Sequence, residues 1–264
     1  MLNNLGLVAM RLHQFQRAAQ LMEEGVSLTR SLGDQQAQAN MLFNLGLVTA
    51  RIKGGAARAA MHLAACVELS RELGYRTVLA YALNNLAMLA LHEGDQAKAT
   101  LLAQESLELC RGLEDRLGAF YALVNLAHAA LDLRDPARAA RLLDEALGLL
   151  EQAESAAGPP LRAEFSWFLE ATVHLAISLG QIAEAWKLAG SDAGLRDEIG
   201  ERLPPGASAY YEALLSEART RLDDAELATA WATGRALSPE QARRQALLLI
   251  RASAQPAGSH AQDL

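Results

Sequence analysis

The feature that most limits what this chain can become is a period. An asparagine stands before the same leucine four times, as Asn4 in NNLG, Asn44 in FNLG, Asn85 in NNLA and Asn125 in VNLA, at steps of 40, 41 and 40 residues. A second marker keeps the same phase: Arg17-Ala18-Ala19, Arg58-Ala59-Ala60, Lys98-Ala99-Thr100 and Arg138-Ala139-Ala140. A third closes the unit, in SLGD ending at Asp34, ELGY at Tyr75 and GLED at Asp115. The one extra residue falls in KGGAA (53–57), a glycine-rich turn where insertion costs least. A unit this short cannot bury its own apolar face, so the chain must form a stacked array.

Each unit reads as two helices. In the third, TVLAYALNNLAMLALH places Leu79, Ala82, Leu86 and Leu89 on one stripe at helical spacing. EGDQ (93–96) is the turn, and AKATLLAQESLELCRGL is the second helix, with Ala99, Leu102 and Leu109 inward. The small residue at Ala18, Ala59, Ala99 and Ala139 lets neighbouring helices approach closely. Composition agrees: hydrophobic residues are 51 % and aromatics only 5 %, poor in strand formers. The expected fold is all-α, an α-solenoid of antiparallel helix pairs with a C-terminal helical cap.

The pattern resembles the tetratricopeptide repeat, which has a Leu-Gly pair in the first helix and an alanine early in the second. Leu5-Gly6, Leu45-Gly46, Leu86-Ala87 and Leu126-Ala127 fill the first place; Ala18, Ala59, Ala99 and Ala139 fill the second. The unit is longer than the family's usual one, and the family's tryptophan, tyrosine and proline positions are not reproduced. The resemblance covers residues 1–155 and implies a right-handed superhelix whose first helices line a concave, protein- or peptide-binding groove.

Four segments are expected: four repeats over 1–155, the first incomplete; a degenerate fifth helix pair over 156–203; a helical cap over 204–250; and a disordered tail over 251–264. ESAAGPP (154–160) and RLPPGA (202–207) mark the breaks. Ser238, Pro239 and Gln241 spell a helix start. Unit one has only three residues, starting at Met1, before its repeat asparagine, so its first helix is expected to be short and the chain to be a piece of a longer one. Residues 218–242, with Ala230-Trp231, Gly234, Arg235 and Ser238, are similar to the closing segment of large bacterial ATP-dependent regulators of the LuxR type (STAND ATPases). That likeness implies an ATPase module upstream in an intact parent. This chain has no GxxxxGK[ST] loop and no basic recognition helix after the tail.

Chemistry is sparse. The six histidines form no zinc spacing, LHEGD (91–95) reads as a repeat turn, and no GxSxG or nucleophile–base order stands out. No metal, cofactor or catalytic residue is expected. Cys66 and Cys110 read as small packing residues, and two cysteines without a framework fit a reducing, cytoplasmic setting. The net charge of −7 argues against direct nucleic-acid binding. No apolar run reaches the length of a membrane span, and the N-terminus has no signal-peptide pattern.

What remains is the face that carries the asparagines. Asparagine costs about 0.5 kcal/mol against alanine inside a helix, so four in phase need a reason. On the same face lie Asn40, Tyr81 and Tyr121 one turn before; Leu7, Leu47, Met88 and His128 one turn after; and Arg11, Arg51, His92 and Asp132 two turns after. Amides, tyrosines, a methionine and mixed charges suit recognition. One reading makes Asn4, Asn44, Asn85 and Asn125 a ladder that grips an extended peptide backbone, with the flanking residues reading its side chains. The other has each asparagine bond the next unit and only fix the stacking. The function expected is a non-enzymatic protein- or peptide-binding scaffold, the interaction portion of a bacterial signalling or transcriptional regulator. The alternatives are an accessory domain of a LuxR-type regulator whose ATPase and DNA-binding parts lie elsewhere, and an enzyme with a site assembled from scattered residues.

Overall fold

The structure, a computed structural model, describes residues 1–157 and 160–254. Among the described residues there are thirteen helices and no strand. They fall into two compact units: Met1–Gly118 with Leu203–Tyr210, and Ala119–Arg202 with Tyr211–Leu264.

The first unit holds α1 (Leu2–Arg11), α2 (Phe15–Leu32), α3 (Gln35–Ala50), α4 (Ala56–Glu72), α5 (Arg76–His92) and α6 (Gln96–Gly112). Each packs on the next, and α3 also touches α1 and α5, which is the contact order of a solenoid of helix pairs. The repeat markers explain the geometry. Gly33 (φ 70°) and Gly74 (φ 65°) end second helices in the left-handed conformation, and Glu114, at the same place in the third unit, is forced into it at φ 57°. A side chain held there costs on the order of 1 kcal/mol. Asp34 and Asp95 start the following helices by accepting from the backbone N–H of Ala37 and Lys98, each at 3.0 Å. Ala18, Ala59 and Ala99 are buried between helices. Gly46 has a parallel role: a Cβ there would sit 2.6 Å from Leu63, so the Leu-Gly pair sets how closely α3 meets α4.

The second unit holds most of α7 (Arg116–Asp132), then α8 (Pro136–Ala157), α9 (Arg162–Ser178), α10 (Ile182–Ile199), most of α11 (Pro205–Arg219), α12 (Asp224–Arg235) and α13 (Pro239–Ala254). α9 packs on α8 and α10, α12 on α10, and α13 on α8. The crossing of α10 and α12 is tight: a Cβ on Gly190 would lie 2.4 Å from the Trp231 carbonyl oxygen, and one on Gly234 would lie 1.8 Å from that of Lys187. Ala230-Trp231 and Gly234 therefore have a packing role of their own. α13 opens on the capping box read from the sequence, Gln241 N–H to Ser238 Oγ at 3.3 Å and Ser238 N–H to Gln241 Oε1 at 2.8 Å. Its Arg243 bonds Glu154 at 2.9 Å and lies 5.0 Å over the Phe165 ring, which ties α13 to the body of its unit.

α13 runs on to Ala254, past the expected end of the cap at residue 250. Residues 255–264 of the expected tail, and Gly158 and Pro159 of the ESAAGPP break, lie outside the described residues.

Candidate peptide-recognition face

In the first unit the asparagines divide by role. Asn4 is exposed. Asn44 is half-buried and donates its amide to Asn3 Oδ1 at 2.8 Å, so two successive first helices meet through their asparagines, with Asn3 rather than Asn4 as the partner. Asn85 is half-buried and donates to the Tyr81 carbonyl of its own helix at 2.8 Å. Among the described residues Asn85 therefore bonds no other repeat. Asn40 lies 3.4 Å from the Tyr75 hydroxyl, and the Phe43 and Tyr81 rings meet edge to face at 6.4 Å. The Tyr81 phenol is held well above its usual range, first by burial and then by the Asp115 carboxylate beside it.

The remaining positions of this face differ in exposure. Arg11 is exposed, while Arg51, Met88 and His92 are half-buried. His92 packs 5.7 Å from the Tyr210 ring, and burial pushes its imidazole down to about 4, so it is neutral at physiological pH.

In the second unit the corresponding residues are drawn inward. Asn125 and His128 are buried. Tyr121 donates to Glu164 Oε1 at 2.9 Å. His128 Nδ1 lies 3.2 Å from His174 Nδ1, and His174 Nε2 lies 3.7 Å from Asp132 Oδ1. Burial, with Arg134 second, pushes His174 down to about 4, so this pair is a hydrogen-bonded packing element at neutral pH. His174 was not among the residues predicted for the face. It stands 46 residues from His128, and only the α7–α9 contact brings the two together.

A second polar cluster in the same unit escaped the sequence reading. Arg196 bonds Glu170, bonds Asp192 Oδ2 at 2.9 Å, and Asp192 accepts from Ser166 Oγ at 2.5 Å. Burial pushes Glu170 up to about 8 against the pull of Arg196, and pushes Asp192 upward as well. The Tyr211 hydroxyl is buried next to this cluster with no hydrogen-bond partner among the described residues. Pairs at i and i+4, Ser166 with Glu170 and Asp192 with Arg196, were the available signal. Between α10 and α13 a cleft of about 350 Å³ is lined by Gln181, Glu184, Lys187, Gln245 and Leu248, and Glu184 and Lys187 already pair there at 2.7 Å.

Among the described residues no group of three or more His, Cys, Asp or Glu side chains is placed to hold a metal ion. Nor is any helix among them long and apolar enough to cross a membrane. Cys66 and Cys110 are buried thiols, each pushed up to about 11 chiefly by burial.

A family model described as a tetratricopeptide repeat matches residues 1–34, the span of the α1–α2 pair and the turn that ends it. No curated protein matches the chain.

Proposed function

We propose that this chain is a non-enzymatic scaffold that binds an extended peptide segment of a partner protein along the first-helix face of its first unit. Asn85 carries the reading. Its amide bonds only a carbonyl that its own helix already satisfies, so repeat stacking does not explain it, whereas stacking does explain Asn44. With one N–H given to the Tyr81 carbonyl, the half-exposed amide keeps one donor and its acceptor oxygen, enough to pair with both a peptide C=O and N–H. Tyr81 and Met88, one turn to either side, would contact the peptide's side chains. Tyr121, Asn125, His128 and Asp132 occupy the corresponding places in the second unit and are already engaged or buried there.

The tetratricopeptide match over residues 1–34 supports a protein-interaction role. The likeness of residues 218–242 to the closing segment of LuxR-type regulators supports a setting in bacterial cytoplasmic signalling, as the interaction portion of a transcriptional or signalling regulator. In that setting the chain itself handles no nucleotide, and calorimetry with ATP should give no saturable heat.

The test is selection from a display library of random peptides, then titration of the enriched peptide into the chain and into Asn85→Ala. The affinity should fall at least about fivefold, since each of the hydrogen bonds lost is worth about 1 kcal/mol. Failure to enrich any peptide, or equal affinity for both proteins, refutes the reading.

A further inference from the structure

The cleft between α10 and α13 has two walls of opposite character, and all the residues lining it belong to the second unit. The two helices run antiparallel. Pro239, at the start of α13, lies with Ser191 and Leu195 of α10, whereas Gln245 to Ala252 lie with Gln181 to Lys187. The α10 wall is polar. Glu184 and Lys187 stand one turn apart and pair at 2.7 Å, each side chain 25 % exposed. Its backbone is held in place where α12 crosses, because the Lys187 carbonyl packs directly on Gly234. The α13 wall is apolar, with Leu248, Leu249 and Ala252 on one side of the helix. Leu249 is 5 % exposed, while Leu248 stands open at 70 %. Beside them the Gln245 Oε1 is buried with no hydrogen-bond partner among the described residues. A volume of about 350 Å³ falls at the small end of ligand sites, right for a small molecule and too narrow for a helix.

We infer that this cleft binds a free α-amino acid with an apolar side chain, of the size of leucine or phenylalanine. The ion pair selects for a zwitterion. Lys187 gives Glu184 one of its three N–H donors, and Glu184 receives it on Oε2 alone. A ligand carboxylate can therefore pair with Lys187 while a ligand ammonium pairs with Glu184 Oε1, so that four charges alternate and none is left over. A ligand with one charge would add a net charge to a pair that is already three-quarters covered. An uncharged ligand would strip water from the pair and return no hydrogen bond. Glutamine's terminal torsion is broad, so the Gln245 amide can turn its unpartnered oxygen toward a second N–H of the ammonium. The ligand's side chain then lies on Leu249 and Ala252 and covers Leu248. None of these residues belongs to the asparagine face, so the inference does not depend on the peptide reading.

The probes are L-leucine and L-phenylalanine, titrated to about 10 mM into the full chain and followed by calorimetry and hydrogen exchange. At least one of them should bind saturably with a dissociation constant of about 1 mM or below, the range open to so small a ligand. At saturation the amides of α10 and α13 that line the cleft should exchange about tenfold more slowly. N-acetyl-L-leucine lacks the ammonium, L-leucinamide lacks the carboxylate and glycine lacks the side chain, so each should bind at least about tenfold more weakly than L-leucine. In Glu184→Gln and in Lys187→Met the affinity for L-leucine should fall by a similar factor, with unfolding midpoints near that of the parent. No saturable binding of either amino acid overturns the inference, and so does undiminished binding in both variants. L-leucinamide binding as well as L-leucine gives the cleft to the amino terminus of a peptide and overturns the free amino acid. N-acetyl-L-leucine or glycine binding equally well overturns the zwitterion or the apolar wall, and the inference with it. Should a variant fail to fold, the exchange map of the parent decides: protection outside the cleft-lining turns of α10 and α13 overturns the site.

Discussion

Replacing Gly234 by alanine should cost the second unit far more than a surface glycine change. The added Cβ would stand 1.8 Å from the Lys187 carbonyl oxygen and 2.7 Å from its carbon, both backbone atoms of α10. An ordinary contact at that atom pair begins near 3.4 Å, so α12 must retreat by about 1.5 Å. A gap of even 0.5–1 Å forfeits roughly a quarter to a half of each dispersion contact, and the crossing buries Leu188, Leu227 and Ala230. Overpacking of this kind costs about 3 kcal/mol, and alanine's better helix propensity returns about 1 kcal/mol, leaving a net loss of about 2 kcal/mol. Gly148 on α8 is the control. A Cβ there meets nothing within 4 Å, so Gly148→Ala should stabilise by about 0.5–1 kcal/mol. Urea unfolding followed by tryptophan fluorescence suits the comparison, because Trp167, Trp186 and Trp231 all lie in the second unit. If Gly234→Ala raises the midpoint as Gly148→Ala does, the close α10–α12 crossing is wrong.

The buried carboxylate cluster makes stability fall with alkalinity. Glu170 holds its proton in the folded state up to about 8, while its unfolded value is 4.5, so the native state binds the extra proton between these values and stability is lost as pH rises through that window. Unfolding midpoints at about pH 6 and pH 9 should show the drop, and Glu170→Gln should flatten it; an unchanged slope in that variant removes Glu170 as the cause. The two asparagines should separate in stability. Asn44→Ala loses the bond to Asn3, worth about 1 kcal/mol, against a propensity gain of about 0.5 kcal/mol, so it should destabilise slightly. Asn85→Ala loses only a bond within its own helix and should stay within about 0.5 kcal/mol of the parent; a loss of several kcal/mol would return Asn85 to a packing role.

Local signals carried the helix pairs. Glycine at positions needing positive φ, aspartate at helix starts and alanine at helix crossings each act within a few residues, and so can be read from the chain. The asparagine register was legible only in part. The repeat marker aligns Asn4 with Asn44, but the side chain that meets Asn44 belongs to Asn3, a neighbour about 100° round the helix. Period fixes which residues are equivalent, whereas the rotation of each helix about its axis fixes which of them touch. The Glu170–Asp192–Arg196 cluster and the His128–His174 pair were hidden for a related reason. Each joins residues on different helices, and a single charge inside an apolar run such as SWFLEATVHLAI gives no sign of the partner that neutralises it.

The central claim, that the first-helix face of the first unit receives an extended peptide, is tested most directly by mapping where a selected peptide sits. Side-chain amide resonances of Asn44 and Asn85 and the ring signals of Tyr81 should shift on titration, with α5 amides gaining protection from exchange. Shifts confined to the outward faces of α4 and α6, with the asparagine amides unmoved at saturation, would contradict it.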